Sequence, residues 1–442
     1  MGGGAFSNPS ADGQTTALHI PRMTPQEYNR LKSTYVDRLA ERYGAKNVLV
    51  PLEAPGKESY GDIDIYIVSE EEINWPELAS NIGAEAFLDR GSGRSPKWSF
   101  AVRLDGQRSP HPPIEYSPNP IKRPQDQQRP TPATNEPFAQ IDLEAITPDQ
   151  KPWRFFHGSY PDLAGMLGHV VKNFGFDITE RGLRLRLREL DDSGHGAWAH
   201  FHPPLDEGRI MLSSDPQHIL AFFDLDAARY DAGFATEEHI FQWLGASPFV
   251  CALSLEREKP PSAREKANWK PTRPMLARFR AWLPGCVAKK EAENSDDDAT
   301  TSLAQLREHY LDAALRFFGK RAQYERMRAA LLRRRANETA AHRLRPVIGM
   351  HSGKAGAGLS ELVRAFRRNT AFREGGPVVL AEAEATTDAG SELYTFLDDS
   401  GRELREWEVV EKWVEANCEA VKGVERERAK KRKGSVAGEA AG

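Results

Sequence analysis

The stretch Gly56-Lys57-Glu58-Ser59-Tyr60-Gly61-Asp62-Ile63-Asp64-Ile65-Tyr66-Ile67-Val68 reads as a turn that runs into a strand. Successive strand side chains point to opposite faces, so Ile63, Ile65 and Ile67 share one face and Asp62 and Asp64 the other. The isoleucines belong in a core. The two carboxylates then stand together on the opposite surface. The turn before them is bounded by Gly56 and Gly61, and its free N–H groups are suited to meeting phosphate.

A second stretch has the same dressing. Ala139-Gln140-Ile141-Asp142-Leu143-Glu144-Ala145-Ile146 alternates as a strand and carries Asp142 between two apolar residues. If it pairs beside the first strand, three carboxylates converge. Three such charges repel one another unless cations lie between them. Two divalent ions roughly 3.5–4 Å apart would neutralise them, orient a triphosphate and activate an attacking hydroxyl. Hard oxygen ligands suit Mg²⁺, or Mn²⁺ in its place. An Asp-x-Asp on a strand edge is common by itself; the turn before it and the third aspartate make it a candidate site.

Outward from these strands, Thr24-Pro25-Gln26-Glu27 is a capping box with Pro at the first helical position. Tyr28, Leu31, Tyr35 and Leu39 follow on one face, and Gly44 stops the helix. Short strands are expected at 48–50 and 98–104, and a helix at 159–172. Nine prolines between Pro110 and Pro137 predict an extended insertion without sheet or helix. Leu183-Arg184-Leu185-Arg186-Leu187-Arg188 predicts a strand with a Leu face and an Arg face. Ser214-Asp215-Pro216 and Ala235-Thr236-Glu237-Glu238 start helices. The domain plan is a disordered tail at 1–23, an α+β region at 24–180 with the insertion at 108–137, a further region at 181–255, a linker at 256–302 with one short helix around Met275–Trp282, a helical domain at 303–421 and a disordered basic tail at 422–442.

The string from Gly56 to Ile67 resembles the active-site strand of the DNA polymerase β-like nucleotidyltransferase superfamily. Gln140 to Gln150 is similar to the strand bearing that family's third aspartate. Phe155-Phe156-His157-Gly158-Ser159 falls where those polymerases have an aromatic-aromatic-Thr-Gly-Ser turn beneath the sugar of the incoming nucleotide. The resemblance covers about residues 25–250. It implies a palm with a mixed β-sheet and flanking helices, a thumb-like region at 181–255 and a mainly helical C-terminal domain. It implies catalytic and metal-holding roles for Asp62, Asp64 and Asp142. It also implies nucleotide-binding roles for Gly56, Lys57, Ser59, Gly61, Phe155, Phe156, Gly158 and Ser159. Where the family carries the Gly-Ser that holds the triphosphate, this chain has Pro51-Leu52, followed by Ala54 and Pro55 in place of basic residues. Slow turnover is therefore expected, and transfer of single nucleotides rather than processive synthesis.

Charge is nearly balanced, with a formal net of −4, but it is unevenly placed. Between Lys320 and Arg345 there are nine Lys or Arg against Glu325 and Glu338. With Tyr310, Phe317, Phe318 and Tyr324 close by, this stretch is a candidate nucleic-acid surface, Arg333 and Arg334 included, or else a solvated face. Lys430-Lys431-Arg432-Lys433 reads as a nucleic-acid tail, a nuclear import signal or a solvated terminus. The proline-rich insertion offers a ligand for a protein partner. No apolar run spans a membrane, and the amino terminus has neither a secretory signal pattern nor a complete myristoylation motif. Three cysteines far apart in sequence fit a reducing, intracellular setting. His195, His200 and His202 cluster without paired cysteines and read as locally bonded. Gly349 to Ala355 departs from a phosphate loop in spacing and lacks its hydroxyl. The expected function is metal-dependent transfer from a nucleoside triphosphate to a hydroxyl, with a nucleic-acid end as the favoured acceptor. The alternative is a weakened relative that serves as a nucleic-acid-binding module or interaction scaffold.

Overall fold

The computed structural model describes residues 4–6, 17–90, 97–116, 136–190, 207–252, 273–293, 302–373, 376–379 and 407–439. They fall into two units, residues 1–185 with 211–319 and residues 186–210 with 320–442.

The first unit is built on a six-stranded mixed sheet of order β1-β2-β6-β4-β3-β5. The strands are β1 (Val48–Leu49), β2 (Asp62–Val68), β3 (Ala86–Asp89), β4 (Lys97–Arg103), β5 (Ile114–Tyr116) and β6 (Phe138–Ile146). β2 and β6 run parallel, whereas β4 is antiparallel to both β6 and β3. β6 is buried along nearly its whole length, as befits a strand with neighbours on both edges.

One face of this sheet is covered by α1 (Pro25–Tyr43) and α2 (Trp75–Ile82). Tyr28, Leu31, Tyr35 and Leu39 pack with Ile63, Ile65, Ile67, Phe100 and Ile141 in one core. The expected capping box forms: the Thr24 hydroxyl accepts from the Glu27 N–H at 3.3 Å, and the Glu27 carboxylate accepts from the Thr24 N–H at 2.7 Å. Thr24→Ala should cost about 0.5–2 kcal/mol by chemical denaturation, the usual worth of such a cap.

The opposite face is polar at its centre and apolar at its two ends. Tyr66, Val68 and Ile146 cluster at one end. At the other, Phe6, Ala86, Leu88, Ala101 and Phe138 pack with Ala5, Leu18 and Ile20. The described part of the segment expected to be a loose tail is thus held against the sheet, and the Phe138 N–H donates to the His19 carbonyl.

Other expectations also change. β5 forms inside the proline-rich insertion, parallel to β3 at the sheet edge, where a strand tolerates nearby Pro112 and Pro113; residues 117–135 lie outside the described part. Phe155 to Gly158 is the end of a helix, α3 (Lys151–Gly158), and the next helix is α4 (Leu163–Val171). The short helix expected around 275–282 in the linker is a 20-residue helix, Pro274–Glu293, whose Met275, Phe279 and Val287 are buried. The helix Leu303–Phe317 belongs to the first unit rather than to the C-terminal region.

The expected Leu-face strand forms as β8 (Gly182–Arg186), antiparallel to β7 (Phe176–Thr179), with Leu183 and Leu185 buried. The second unit is mainly helical. Helices Arg321–Ser352, Gly356–Asn369 and Trp407–Glu439 share a core of Leu344, Ile348, Leu362, Phe366, Val410, Val414 and Val421. A short hairpin pairs Thr370–Arg373 with Gly376–Val379. The last helix runs on to Glu439, through the stretch expected to be a disordered basic tail. Among the described residues, no helix is long and apolar enough to cross a membrane.

Candidate functional site

The parallel pairing of β2 with β6 sets Asp64 directly opposite Asp142, with Asp62 two residues earlier on the same face. The antiparallel pairing of β4 with β6 sets Ser99 opposite Asp142 and Lys97 opposite Glu144. Asp62, Asp64, Asp142, Ser99 and Lys97 thus stand on one sheet face.

Asp142 is the floor of this group, at 4% exposure, and Asp64 its exposed rim. Asp142 Oδ1 accepts from Ser99 Oγ at 2.6 Å and from Gln140 Nε2 at 2.8 Å. Gln140 is oriented in turn by the Ala5 N–H, which donates to its Oε1 at 2.9 Å. Lys97 Nζ lies 3.1 Å from Asp64 Oδ1 and 3.5 Å from Asp142 Oδ2, bridging the two carboxylates. Burial would lower the Lys97 pKa, but Asp64 and Asp142 hold it well above the usual lysine value.

The carboxylates carry more negative charge than Lys97 offsets. Burial, then Asp64 and Asp142, push Asp62 up to about 7 against the opposing Lys97 and Lys57. Burial and Asp64 likewise raise Asp142, although Lys97, Ser99 and Gln140 favour its charged form. The donor chemistry therefore suits a hard divalent cation, because three oxygen ligands face one ammonium. Among the described residues, no three His, Cys, Asp or Glu side chains converge as a ready metal cage. The cation in place between Asp64 and Asp142 is that of Lys97.

Next along β6, Glu144 forms a buried ion pair with Arg154 of α3, the two being 6% and 5% exposed. Arg154 also reaches Glu180 at 3.5 Å, and its guanidinium lies 5.4 Å from the centre of the Tyr66 ring.

The residues that the resemblance assigns to nucleotide binding are largely occupied with structural work. Lys57 Nζ is 2.5 Å from Glu53 and 4.5 Å from the Tyr60 ring centre. Ser59 Oγ accepts from Arg22 Nε at 2.9 Å. Gly56 turns the chain at φ +71°, and Gly61 is buried. Phe156 is buried against Trp153 and Tyr230, while Phe155 is half-buried. Ser159 is fully buried and its Oγ accepts from the Leu52 N–H at 3.0 Å, so it braces the Pro51-Leu52 segment. A Cβ on Gly158 would fall 2.3 Å from the Tyr66 hydroxyl, which leaves room for glycine alone. Beside this segment opens a cleft of about 610 Å³ lined by Leu52, Glu53, Tyr160, Arg229, Phe234 and His239.

The candidate nucleic-acid face is partly spoken for. Arg334 pairs with Glu207 and Arg328 with Glu189, each at 2.5 Å. Arg333 is exposed. Tyr324 is buried, and Tyr310 stacks on Phe249 with ring centres 4.0 Å apart, so neither ring is presented as a base platform. Phe317 and Phe318 pack on Phe222. Lys430, Lys431, Arg432 and Lys433 lie along the helical backbone of the last helix. His195, His200 and His202 fall outside the described residues.

Sequence reading passed over Lys97, Ser99 and Gln140. The signal was present in Lys97-Trp98-Ser99-Phe100-Ala101-Val102, where small and polar residues alternate with large apolar ones. Starting the strand at Trp98 removed its most consequential residue. No protein-family model matches this chain, and no match is found among curated proteins.

Proposed function

We propose that the chain is a metal-dependent nucleotidyltransferase with a DNA polymerase β-like palm, moving a nucleotide from a nucleoside triphosphate to a hydroxyl acceptor. The observation that carries this reading is the β2–β6 register, which brings Asp64 and Asp142 side by side with Asp62 on the same face. Asp62, Asp64 and Asp142 would hold Mg²⁺ or Mn²⁺. Such an ion supplies charge for the triphosphate and a lowered pKa for the acceptor hydroxyl.

The protein's own share is positioning. Ser99 and Gln140 fix Asp142 through Oδ1, while Oδ2 faces Lys97 Nζ at 3.5 Å. Asp142 is thereby a fixed ligand rather than a free base. The cleft beside Pro51-Leu52 is large enough for a small ligand, and its Arg229 guanidinium, 5.4 Å from the Phe234 ring centre, supports a role in holding the nucleotide.

The experiment offers labelled nucleoside triphosphates with DNA, RNA and protein acceptors in the presence of Mg²⁺ or Mn²⁺. Slow, metal-dependent label transfer is expected, and Asp64→Asn or Asp142→Ala should abolish it. Asp64 is exposed, so its variant should fold normally. The Lys97 bridge favours a second reading, a scaffold that has settled its charges internally. Nucleic-acid binding without any label transfer would establish that reading in place of the first.

A further inference from the structure

We infer that Lys97 is a tethered cation that takes one of the two cation positions of the acidic site, so that the site accepts one divalent ion rather than two. This inference rests on the metal-dependent reading above.

The charge count leads to it. Asp62, Asp64 and Asp142 contribute three negative charges when ionised, and Lys97 contributes one positive charge within 3.1 Å of Asp64 and 3.5 Å of Asp142. One divalent ion then completes neutrality. A second would leave an excess positive charge against an ammonium in a partly buried place, where repulsion is poorly screened.

The other charges nearby do not alter the count. Glu144, which faces Lys97 across the strands, is matched by Arg154, and Lys57 is matched by Glu53. The position of Lys97 is built in. β4 lies between β3 and β6 and pairs with both, and Lys97 itself is in register with Glu144. Its Cα is therefore fixed, and only side-chain rotation can carry the ammonium out. Lys97 meets Asp64 and Asp142, so the single ion is assigned to the Asp62–Asp64 side.

The test counts Mn²⁺ ions bound by the full chain, from the loss of the paramagnetic resonance signal of free Mn²⁺. One ion per chain is expected for wild type and for Lys97→Arg, which keeps the charge. Two are expected for Lys97→Met, which removes it. Circular dichroism and melting report whether each variant folds; Lys97→Gln, uncharged but able to hydrogen-bond Asp64, replaces Lys97→Met should the latter fail to fold. Two ions in wild type, or one in the uncharged variant, would overturn the role of Lys97 while leaving the metal reading standing. No Mn²⁺ bound by any form would overturn both, and Mn²⁺ bound only once Lys97 is neutralised would overturn the one-ion site. Asp64→Asn should lower the wild-type count to zero, which locates the ion at this cluster.

Discussion

Arg154→Ala should destabilise the first unit by about 3–5 kcal/mol, the cost typical of breaking a buried ion pair from one side. The loss leaves Glu144 buried without its cation, two residues from Asp142 on the same strand face. Burial already raises the Glu144 pKa, and Arg154 is the main influence holding it down. Without Arg154, Glu144 escapes the cost by taking a proton, so the destabilisation should be largest above neutral pH and should shrink on acidification. The double replacement Arg154→Met with Glu144→Leu removes both charges and should recover most of the loss, since a well-packed apolar pair can equal a buried ion pair. Urea denaturation at pH 5 and pH 8 checks both statements; a pH-independent loss below about 1 kcal/mol would show that solvent reaches Glu144 freely.

Asp62→Asn should stabilise the metal-free protein at pH 8, with the advantage fading as pH falls through 7 towards 4. The folded-state value of Asp62 is about 7, well above the usual carboxylate range. Between those limits the folded state holds a proton that the unfolded state has released, so wild-type stability falls as pH rises. Asparagine lacks the charge and avoids this fall. Each pKa unit between the two states is worth about 1.4 kcal/mol, so the effect is of the order of a few kcal/mol at its largest. His157 acts in the opposite direction. Burial lowers it to about 4, so it favours the folded state above its unfolded value and loses that contribution as pH falls. The quantity to measure is therefore the difference between wild type and Asp62→Asn at each pH, which cancels His157. Saturating Mn²⁺ should narrow the gap between the two proteins, because an ion bound only by the folded wild type adds about 2.7 kcal/mol at 100 times its Kd. Identical pH profiles in both proteins would remove Asp62 from the electrostatic cluster.

Local rules were legible in the chain wherever one element could satisfy them alone. The capping box at Thr24, the apolar face from Tyr28 to Leu39 and the strand from Asp62 to Val68 depend on residues a few positions apart, and all three form as read. The shared face of Asp62 and Asp64 follows from strand geometry alone. The helix starts at Asp215 and Thr236 were legible for the same reason, since each cap bonds an N–H two or three residues on.

Neighbourhood was not legible, because it is settled by contacts between residues far apart in sequence. Alternation in β6 placed Asp142 on a face without saying which strand would lie beside it; the pairing with β2 brings it to Asp64 across an intervening stretch that includes β3, β4 and β5. Lys97 could be taken for an ordinary strand-end lysine until β4 was set against β6 and aimed its ammonium between two carboxylates. The fate of Ser159 turned on the Leu52 N–H, whose closeness depends on packing, as did that of Tyr310, which stacks on Phe249 in a shared aromatic core. Tertiary pairing thus decided where the charges meet and which side chains are already committed, since the energy of an ion pair or a buried hydrogen bond depends on distance in space and hardly at all on distance along the chain.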